Sequence, residues 1–227
     1  MPNYRVLVPA FVLVAGGAFL LGRRATPGTS VAASPAAVAP AAKDSIDYMI
    51  NQRSLGSPEA PVTVFEMSDF QCPYCRRHAL ETFPELKQRF IDTGKVQWIF
   101  INFPLTQLHP NAAAAAEFGL CSAKADRFWP IHDLLYRNQD TWAPMEDPAP
   151  YFMGLADSIG LPRKAIAPCL ESGEMRILVQ YDAEGASRAG AHSTPSFFIE
   201  GGMLRGAVPA EPFGAILDSI YAAKAGG

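Results

Sequence analysis

Along the body of the chain, apolar residues recur with strand-like spacing in two regions and with helical spacing between and around them. A β-branched and aromatic run from Val62 to Met67 predicts a buried strand. A helical pattern follows from Pro73 to about Ile91, in which Pro84 should produce a kink, and Val96 to Phe103 predicts a second strand. A strand, a helix and a strand of this length predict two parallel strands joined by a right-handed crossover.

The middle of the body is helical in pattern from about Pro110 to Arg188, and Asn138 to Pro150 is predicted to be a loop within it. The elements predicted after it are a strand Ser196 to Glu200, a Gly201-Gly202 hairpin turn, a strand Met203 to Arg205 and a closing helix Pro212 to Ala222. The predicted order is therefore βαβ, several helices, and ββα.

The amino-terminal part differs from this body. Val6 to Gly22 has no charged residue, and residues 25–43 are rich in Ala and Pro. We interpret residues 1–24 as an export signal or membrane anchor, and residues 25–43 as a linker. A signal peptide cut near Val31-Ala32-Ala33 and an uncleaved anchor both stay open. Arg23-Arg24, directly after the apolar run, favours the anchor.

Composition agrees with a folded body over residues 44–227. Of all residues, 49% are hydrophobic and 18% are charged, which is typical of a globular protein and not of a disordered chain. The net charge is −3, and the sequence has no basic cluster of the kind that binds nucleic acid. These numbers exclude a nucleic-acid partner and otherwise leave function open.

The most informative motif is Cys72-Pro73-Tyr74-Cys75, which lies between the first predicted strand and its helix. Two cysteines at this spacing can form a disulfide or a dithiol, and so can exchange two electrons. A cysteine at a helix start has a lowered pKa, because backbone N–H groups and the helix dipole stabilise its thiolate. Alternatives are a structural disulfide, or a metal site that adds His78. We expect His78 to lie on the helix surface instead.

The other two cysteines, Cys121 and Cys169, both fall in the helical middle. Four cysteines in an exported chain suggest two pairs, which places the body outside the cytoplasm. We predict a structural disulfide between Cys121 and Cys169. The alternative is two buried thiols acting as small apolar groups.

The chain resembles the DsbA-like thiol-disulfide oxidoreductases of bacterial envelopes in three stretches: Ser68 to Cys75, Thr194 to Ile199, and Gly206-Ala207. The resemblance covers roughly residues 55–222. It implies an α/β, thioredoxin-like fold (βαβ…ββα) with an inserted helical subdomain at about 108–188.

The resemblance also implies roles for the residues of the motif. Cys72 would be the nucleophile and Cys75 the resolving thiol, while Pro73 and Tyr74 would tune the reduction potential. Thr194-Pro195 would have a cis peptide bond and face the cysteines, where the backbone of Thr194 pairs with the substrate.

Glu66, six residues before Cys72, corresponds to a buried acid that exchanges protons with the inner cysteine in this family. Strand alternation leaves open that Glu66 faces solvent instead. His192, near the predicted cis bond, is expected in a solvated loop.

The function these features predict is an extracytoplasmic oxidase that donates the Cys72–Cys75 disulfide to exported proteins as they fold. It would act as a monomer, without cofactor or metal, and a membrane redox partner would reoxidise it. One alternative is a reductase or isomerase that a membrane partner keeps reduced. Another, from a different class, is a non-catalytic metal- or protein-binding module.

Overall fold

The computed structural model describes residues 46–225 of the 227-residue chain. The predicted export segment, residues 1–24, and the linker, residues 25–43, lie outside the described residues. Within the described part, no helix is long and apolar enough to cross a membrane.

The described chain has five strands and ten α-helices; one π-helical turn joins α2 to α3, and a second follows α3. Its first half contains α1 Ile46–Gln52, β1 Ser54–Leu55, β2 Val62–Ser68, α2 Pro73–Arg77, a π-helical turn His78–Thr82, α3 Phe83–Leu86, a second π-helical turn Lys87–Ile91, β3 Val96–Asn102, α4 Ala112–Ala123 and α5 Phe128–Arg137. Its second half contains α6 Gln139–Trp142, α7 Ala149–Ser158, α8 Arg163–Ser172, α9 Glu174–Arg188, β4 Ser196–Ile199, β5 Gly202–Arg205 and α10 Ala210–Ala225.

The strands form one sheet in the order β1-β3-β2-β4-β5. Strands β2 and β3 are parallel, with Val62 opposite Val96, and the other neighbours are antiparallel. The predicted parallel pair is therefore confirmed. This sheet, the helical insertion between β3 and β4, and the closing helix confirm the α/β thioredoxin-like fold predicted from the sequence.

Each face of the sheet is covered by helices. One face packs apolar side chains of β2, β3 and β4 against the helical stretch 73–91 and α10, with Trp98, Phe197 and Phe213 fully buried. The other face packs Met67 and Phe103 against Ala186 of α9. A third apolar cluster fills the helical insertion and reaches the sheet at Phe100. The end of β2 therefore lies where the sheet and the insertion meet.

The helical stretch 73–91 is interrupted before Pro84, as the sequence predicts. Proline has no N–H to bond the carbonyl four residues earlier, so a regular α-helix cannot run through it. The chain takes a π-helical turn there, in which the Phe83 N–H bonds to the carbonyl of His78. This wider turn places His78 and Phe83 on the same side of the helix, five residues apart.

Two local predictions were wrong. The predicted loop Asn138 to Pro150 contains helix α6, because the buried Trp142 donates its indole N–H to the carbonyl of Leu135, at 2.7 Å. The hairpin turn is Glu200-Gly201, one residue earlier than predicted. Both residues have positive φ, 47° and 83°, as a two-residue hairpin turn of type I′ requires.

Candidate active site

Cys72 lies at the start of α2, directly after the loop that follows β2. It is the N-cap residue, with extended backbone, and Pro73 occupies the first helical position, where a missing N–H breaks no helical hydrogen bond. Cys72 and Cys75 are free thiols, and both are buried. Cys72 is 4% exposed and Cys75 is fully buried, so Cys72 is the sulfur nearer the surface.

The surroundings of Cys72 favour its thiolate. A hydrogen bond from Cys75 and the backbone N–H groups of Cys75 and Tyr74 lower the pKa of Cys72 to about 6, although burial acts in the opposite direction. A cysteine that is mostly ionised at neutral pH is both a reactive nucleophile and a good leaving group.

We therefore predict that the reduced protein titrates a thiolate with a midpoint near pH 6. Because this pKa is lower than in the unfolded chain, the thiolate stabilises the reduced fold at high pH, and that stability is lost as pH falls through about 6. Ultraviolet absorbance of the thiolate measures the midpoint. A midpoint above about pH 8, the range of an unperturbed cysteine, would contradict the prediction.

Cys75 has the opposite properties. Burial is the largest cause that raises the pKa of Cys75 well above its ordinary value, and the neighbouring Cys72 raises it further. Its sulfur accepts a hydrogen bond from the backbone N–H of Asp69 at 3.4 Å. The two cysteines thus have pKa values displaced in opposite directions, as a nucleophile and a resolving thiol require.

The loop before β4 approaches Cys72. The Thr194-Pro195 peptide bond is cis, and the Cys72 thiol lies 3.5 Å from the carbonyl oxygen of Thr194. Thr194 itself is 7% exposed, whereas His192 is exposed on the same loop, as expected. The structure therefore brings Cys72 close to the cis Thr194-Pro195 bond, although the two are 122 residues apart along the chain.

Glu66 points into the protein and is 1% exposed, so the solvent-facing alternative is wrong. One carboxylate oxygen, Oε2, accepts the indole N–H of Trp98 at 2.8 Å. The other oxygen, Oε1, has no hydrogen-bond partner among the described residues. A buried carboxylate with an unpaired oxygen is costly unless it holds a proton or a water molecule.

The prediction that His78 lies on the helix surface was wrong, because His78 is fully buried. It stacks on Trp98, with ring centroids 5.8 Å apart, and its ring lies 4.6 Å from that of Phe197. Neither ring nitrogen finds a hydrogen-bond partner within residues 46–225. His78 follows the buried Cys75 by three residues, about one helical turn, so both side chains lie on the same face of the helix, and this spacing was the signal that could have shown its burial.

His78 should destabilise the fold in acid. Burial lowers the pKa of His78 to about 4, partly offset by nearby Glu66. Since an unfolded histidine titrates near pH 6.5, this group should remove up to about 3 kcal/mol of unfolding free energy between about pH 6.5 and pH 4. His78→Phe should abolish that part of the loss, whereas His192→Phe, at an exposed histidine, should not.

Urea unfolding at a series of pH values measures the pH dependence of the unfolding free energy. The oxidised protein is used because Cys72 does not titrate when it is in a disulfide. An H78F variant with the same pH dependence as the unmodified protein would contradict the prediction.

A polar network that the sequence analysis missed fixes the loop before Cys72. The buried Asp69 carboxylate accepts hydrogen bonds from the N–H groups of Gln71 and Leu105, at 2.7 and 2.8 Å, and contacts His109 Nδ1 at 2.8 Å. The side-chain amide of Gln139 donates to the carbonyl of Cys72 at 3.1 Å. The position of Asp69 directly after a strand was a visible signal of a functional loop. Its partners Leu105 and His109 could not be predicted, because they lie 36 and 40 residues away along the chain.

The residues around the motif differ in exposure. Tyr74 is 57% exposed, and the Arg77 guanidinium lies 5.3 Å from the centre of its ring. Arg76 instead binds the insertion, through Asp140 at 2.9 Å and the carbonyl of Tyr136 at 3.1 Å. Neither arginine is among the groups that lower the pKa of Cys72.

Cys121 of α4 and Cys169 of α8 are joined in a disulfide, with 48 residues of separation along the chain. Both half-cystines are buried within the insertion. Among the residues that the structure describes, no three His, Cys, Asp or Glu side chains are grouped so as to hold a metal ion.

Sequence comparison identifies relatives that have a related activity in their names. A family model described as thioredoxin matches residues 49–219. The chain is 32% identical over 159 residues to the probable disulfide bond formation protein D of Bacillus anthracis, which covers 67% of this chain and 71% of that protein.

A second relative is longer. The Na(+)/H(+) antiporter NhaA 1 of Salinispora arenicola is 30% identical over 167 residues, which is 74% of this chain but only 24% of that protein. The chain thus spans about a quarter of this relative. Among solved structures, α-DsbA1 of Wolbachia pipientis superposes with a TM-score of 0.67 and 24% identity, over 76% of this chain and 92% of that one.

Proposed function

Because the chain belongs to the DsbA-like family of thiol-disulfide oxidoreductases, we propose that it donates the Cys72–Cys75 disulfide to exported proteins as they fold. One observation supports this most strongly. Cys72, whose pKa is lowered to about 6, lies beside the cis Thr194-Pro195 bond and is paired with a buried Cys75 whose pKa is raised.

The first step would be attack by a substrate thiolate on Cys72 Sγ. A bond forms between the substrate sulfur and Cys72, while the Cys72–Cys75 bond breaks and its electron pair leaves on Cys75. Attack at Cys72 is favoured because Cys75 is the fully buried sulfur. Cys75, whose pKa is raised, then takes up a proton.

The second step would release the product. A second substrate thiolate attacks the substrate sulfur of the mixed disulfide, so that a substrate disulfide forms and Cys72 leaves as a thiolate. With a pKa of about 6, Cys72 is a good leaving group at neutral pH. The same stabilised thiolate favours the reduced form of the protein, which supports an oxidase over a reductase or isomerase.

Glu66 is proposed as the acid that exchanges a proton with Cys75. Its support is burial at 1% exposure together with the unpaired Oε1 atom, which can hold a proton or bind a water molecule. No direct hydrogen bond joins Glu66 to Cys75 among the contacts of the described residues, so a water molecule would complete the path.

The proposed substrate contact is the backbone of Thr194, which lies against Cys72 at 3.5 Å. An extended peptide that pairs with this backbone would bring its cysteine close to Cys72 Sγ. Pro73 and Tyr74 remain proposed tuning residues, and the exposed Tyr74 ring can also contact the substrate.

We also propose that the body works outside the cytoplasm as a monomer and that a membrane redox partner reoxidises it. The Cys121–Cys169 disulfide supports this location, because such links persist in oxidising compartments. The apolar run Val6 to Gly22 would direct export, either as a cleaved signal or as an uncleaved anchor.

Oxidative refolding of reduced, unfolded ribonuclease tests the function. The oxidised protein should restore ribonuclease activity and convert Cys72 and Cys75 to thiols in stoichiometric amount. Failure to oxidise ribonuclease, together with rapid reduction of insulin by the reduced protein, would instead support the reductase alternative. Inactivity in both assays would leave the non-catalytic module.

A further inference from the structure

Asp69, in the loop between β2 and α2, contacts both cysteines of the motif through its backbone. Its N–H donates to Cys75 Sγ at 3.4 Å, and its carbonyl accepts the N–H of Cys72 at 3.1 Å. Both cysteines are free thiols in this structure, so these contacts belong to the reduced state, in which the Cys72–Cys75 bond is open. The N–H of Asp69 therefore lies beside the sulfur that leaves when the disulfide opens.

The side chain of Asp69 is held by three donors. Oδ1 accepts the N–H of Gln71 at 2.7 Å, while Oδ2 accepts the N–H of Leu105 and contacts Nδ1 of His109, both at 2.8 Å. The Asp69 side chain is fully buried, where an oxygen without a partner would be costly. Because a carboxylate only accepts hydrogen bonds, Nδ1 of His109 is the donor in this contact.

Leu105 and His109 belong to one turn that follows β3. The N–H groups of Leu108 and His109 both donate to the carbonyl of Leu105, at 2.8 and 2.9 Å. The turn therefore presents two donors to Asp69 Oδ2, a backbone N–H from its first residue and an imidazole from its last. The His109 side chain is 18% exposed, so it can be replaced without opening a fully enclosed cavity.

We propose that the Asp69 N–H donates a hydrogen bond to Cys75 as that sulfur leaves during opening of the Cys72–Cys75 disulfide, and that His109 holds Asp69 in the orientation this requires. The backbone of Asp69 touches a reacting atom and is catalytic in that sense. His109 acts through Asp69 and is a positioning residue. The inference rests on the proposed function and deepens it, since it assigns the group that stabilises the leaving sulfur.

The direction of this donor depends on the conformation of its loop. A backbone N–H lies in the plane of its peptide bond and cannot rotate as a hydroxyl does, so it points at Cys75 only while the loop keeps its shape. The contacts of the Asp69 carboxylate fix that shape from the side-chain end of the same residue. A hydrogen bond to a charged sulfur is stronger than one to a neutral thiol, so a fixed donor favours the leaving state.

The effect on Cys75 is opposite to that of its surroundings. Burial raises the pKa of Cys75 well above its ordinary value, whereas the N–H of Asp69 acts to lower it. Loss of this donor should therefore raise the pKa of Cys75 further.

The step balances without a proton from this network. A thiolate attacks Cys72 Sγ and forms a disulfide bond there, the Cys72–Cys75 bond breaks, and both of its electrons go to Cys75. The Asp69 N–H and the His109 imidazole keep their protons. The proton that Cys75 later binds comes from the proposed donor, Glu66.

His109→Ala and His109→Asn test the inference as a pair. The first removes the donor, whereas the amide N–H₂ of the second is as many bonds from the backbone as Nδ1 of histidine and can replace it. Glutathione opening of the Cys72–Cys75 disulfide should be roughly 3- to 10-fold slower in H109A, the range of one lost hydrogen bond. The rate in H109N should return to within about twofold of the unmodified protein, because the hydrogen bond and not a charge on the imidazole holds Asp69.

Asp69→Asn is the stronger perturbation. An amide has one acceptor oxygen where the carboxylate has two, so the N–H of either Gln71 or Leu105 would face an N–H₂ group. We expect slower opening than in H109A, and a double variant D69N/H109A that is no slower than D69N, because His109 acts through Asp69. If D69N does not fold, the comparison of H109A with H109N still decides the inference.

The second readout is the pKa of each cysteine, from nuclear magnetic resonance of labelled cysteine in the reduced protein. H109A should raise the pKa of Cys75 and leave that of Cys72 nearly unchanged, which a merely structural role would not do. The matched control is Leu108→Ala, at the neighbouring residue of the same turn, whose side chain is 72% exposed.

An H109A opening rate within twofold of that of the unmodified protein, equal slowing in L108A, equal slowing in H109N, or an unmoved Cys75 pKa would overturn the inference. Glutathione replaces the protein substrate here, so the outcome does not depend on ribonuclease oxidation. Slow opening in H109A that recovers in H109N, with no ribonuclease oxidation by the unmodified protein, would reject the proposed function and retain the inference.

Discussion

Replacing Cys72 with Ser should abolish disulfide exchange, whereas replacing Cys75 with Ser should leave a reactive Cys72 that becomes trapped with its partner. In the first variant, the remaining thiol is fully buried and has a raised pKa. In the second, the remaining thiol keeps the backbone N–H groups that lower its pKa, although it loses the hydrogen bond from Cys75. Oxidised glutathione should therefore form a stable mixed disulfide in C75S.

Mass spectrometry after mixing with oxidised glutathione measures both variants. At neutral pH, we expect Cys72 in C75S to react at least about 100-fold faster than Cys75 in C72S, because reactivity follows thiolate fraction and access. Thermal unfolding of both variants is the control for folding. Equal reactivity of the two thiols would contradict the assignment of Cys72 as the nucleophile.

Removal of the second disulfide should give the largest loss of stability. Cys121→Ala together with Cys169→Ala opens a link that spans 48 residues. In the chain-entropy treatment, a loop of this length stabilises the fold by about 4 kcal/mol. The two half-cystines are buried in the insertion, so their loss also removes packing contacts between α4 and α8.

Urea unfolding of the double variant at fixed pH measures this loss. Ribonuclease oxidation below the unfolding transition should be retained, because neither residue lies among the contacts of Cys72 and Cys75. A loss of unfolding free energy below about 1 kcal/mol, well under the usual range for a disulfide, would contradict the prediction.

Local patterns in the sequence were sufficient for the central parallel pair of the sheet. Val62 to Met67 and Val96 to Phe103 are apolar runs whose side chains are mostly buried, and the helix between them leaves a parallel pair as the simplest arrangement. The cysteine motif was visible because its four residues are adjacent. The cis bond at Thr194-Pro195 was expected only from the family resemblance, since nothing in the local pattern distinguishes it from a trans turn.

The interior of the site was less predictable, because its contacts join distant parts of the chain. Ser68 and Tyr136 are 68 residues apart and belong to a strand and to the insertion. His78 was placed on the surface because histidine is an amphipathic residue, although its spacing of three residues from Cys75 puts it on the buried face of the helix. The π-helical turn that follows it depends on hydrogen bonds that composition and periodicity do not show.

The geometry also explains why the insertion matters to the chemistry. Three contacts join the insertion to the active-site region. Gln139 donates a hydrogen bond to the carbonyl of Cys72, and the Tyr136 hydroxyl hydrogen bonds to that of Ser68. Asp140 forms an ion pair with Arg76 of α2. The active-site helix is therefore fixed from two sides, by the sheet and by the insertion. Damage to α5 or α6 should affect disulfide exchange even where the thioredoxin-like core remains folded.

The reduction potential of the Cys72–Cys75 couple tests the central claim most directly. Equilibration with glutathione buffers, with Cys72→Ser as the control that must show no transition, gives its value. A disulfide donor with a stabilised Cys72 thiolate should have a potential near about −120 mV. A potential near about −270 mV, typical of a thioredoxin-like reductant, would contradict the oxidase account.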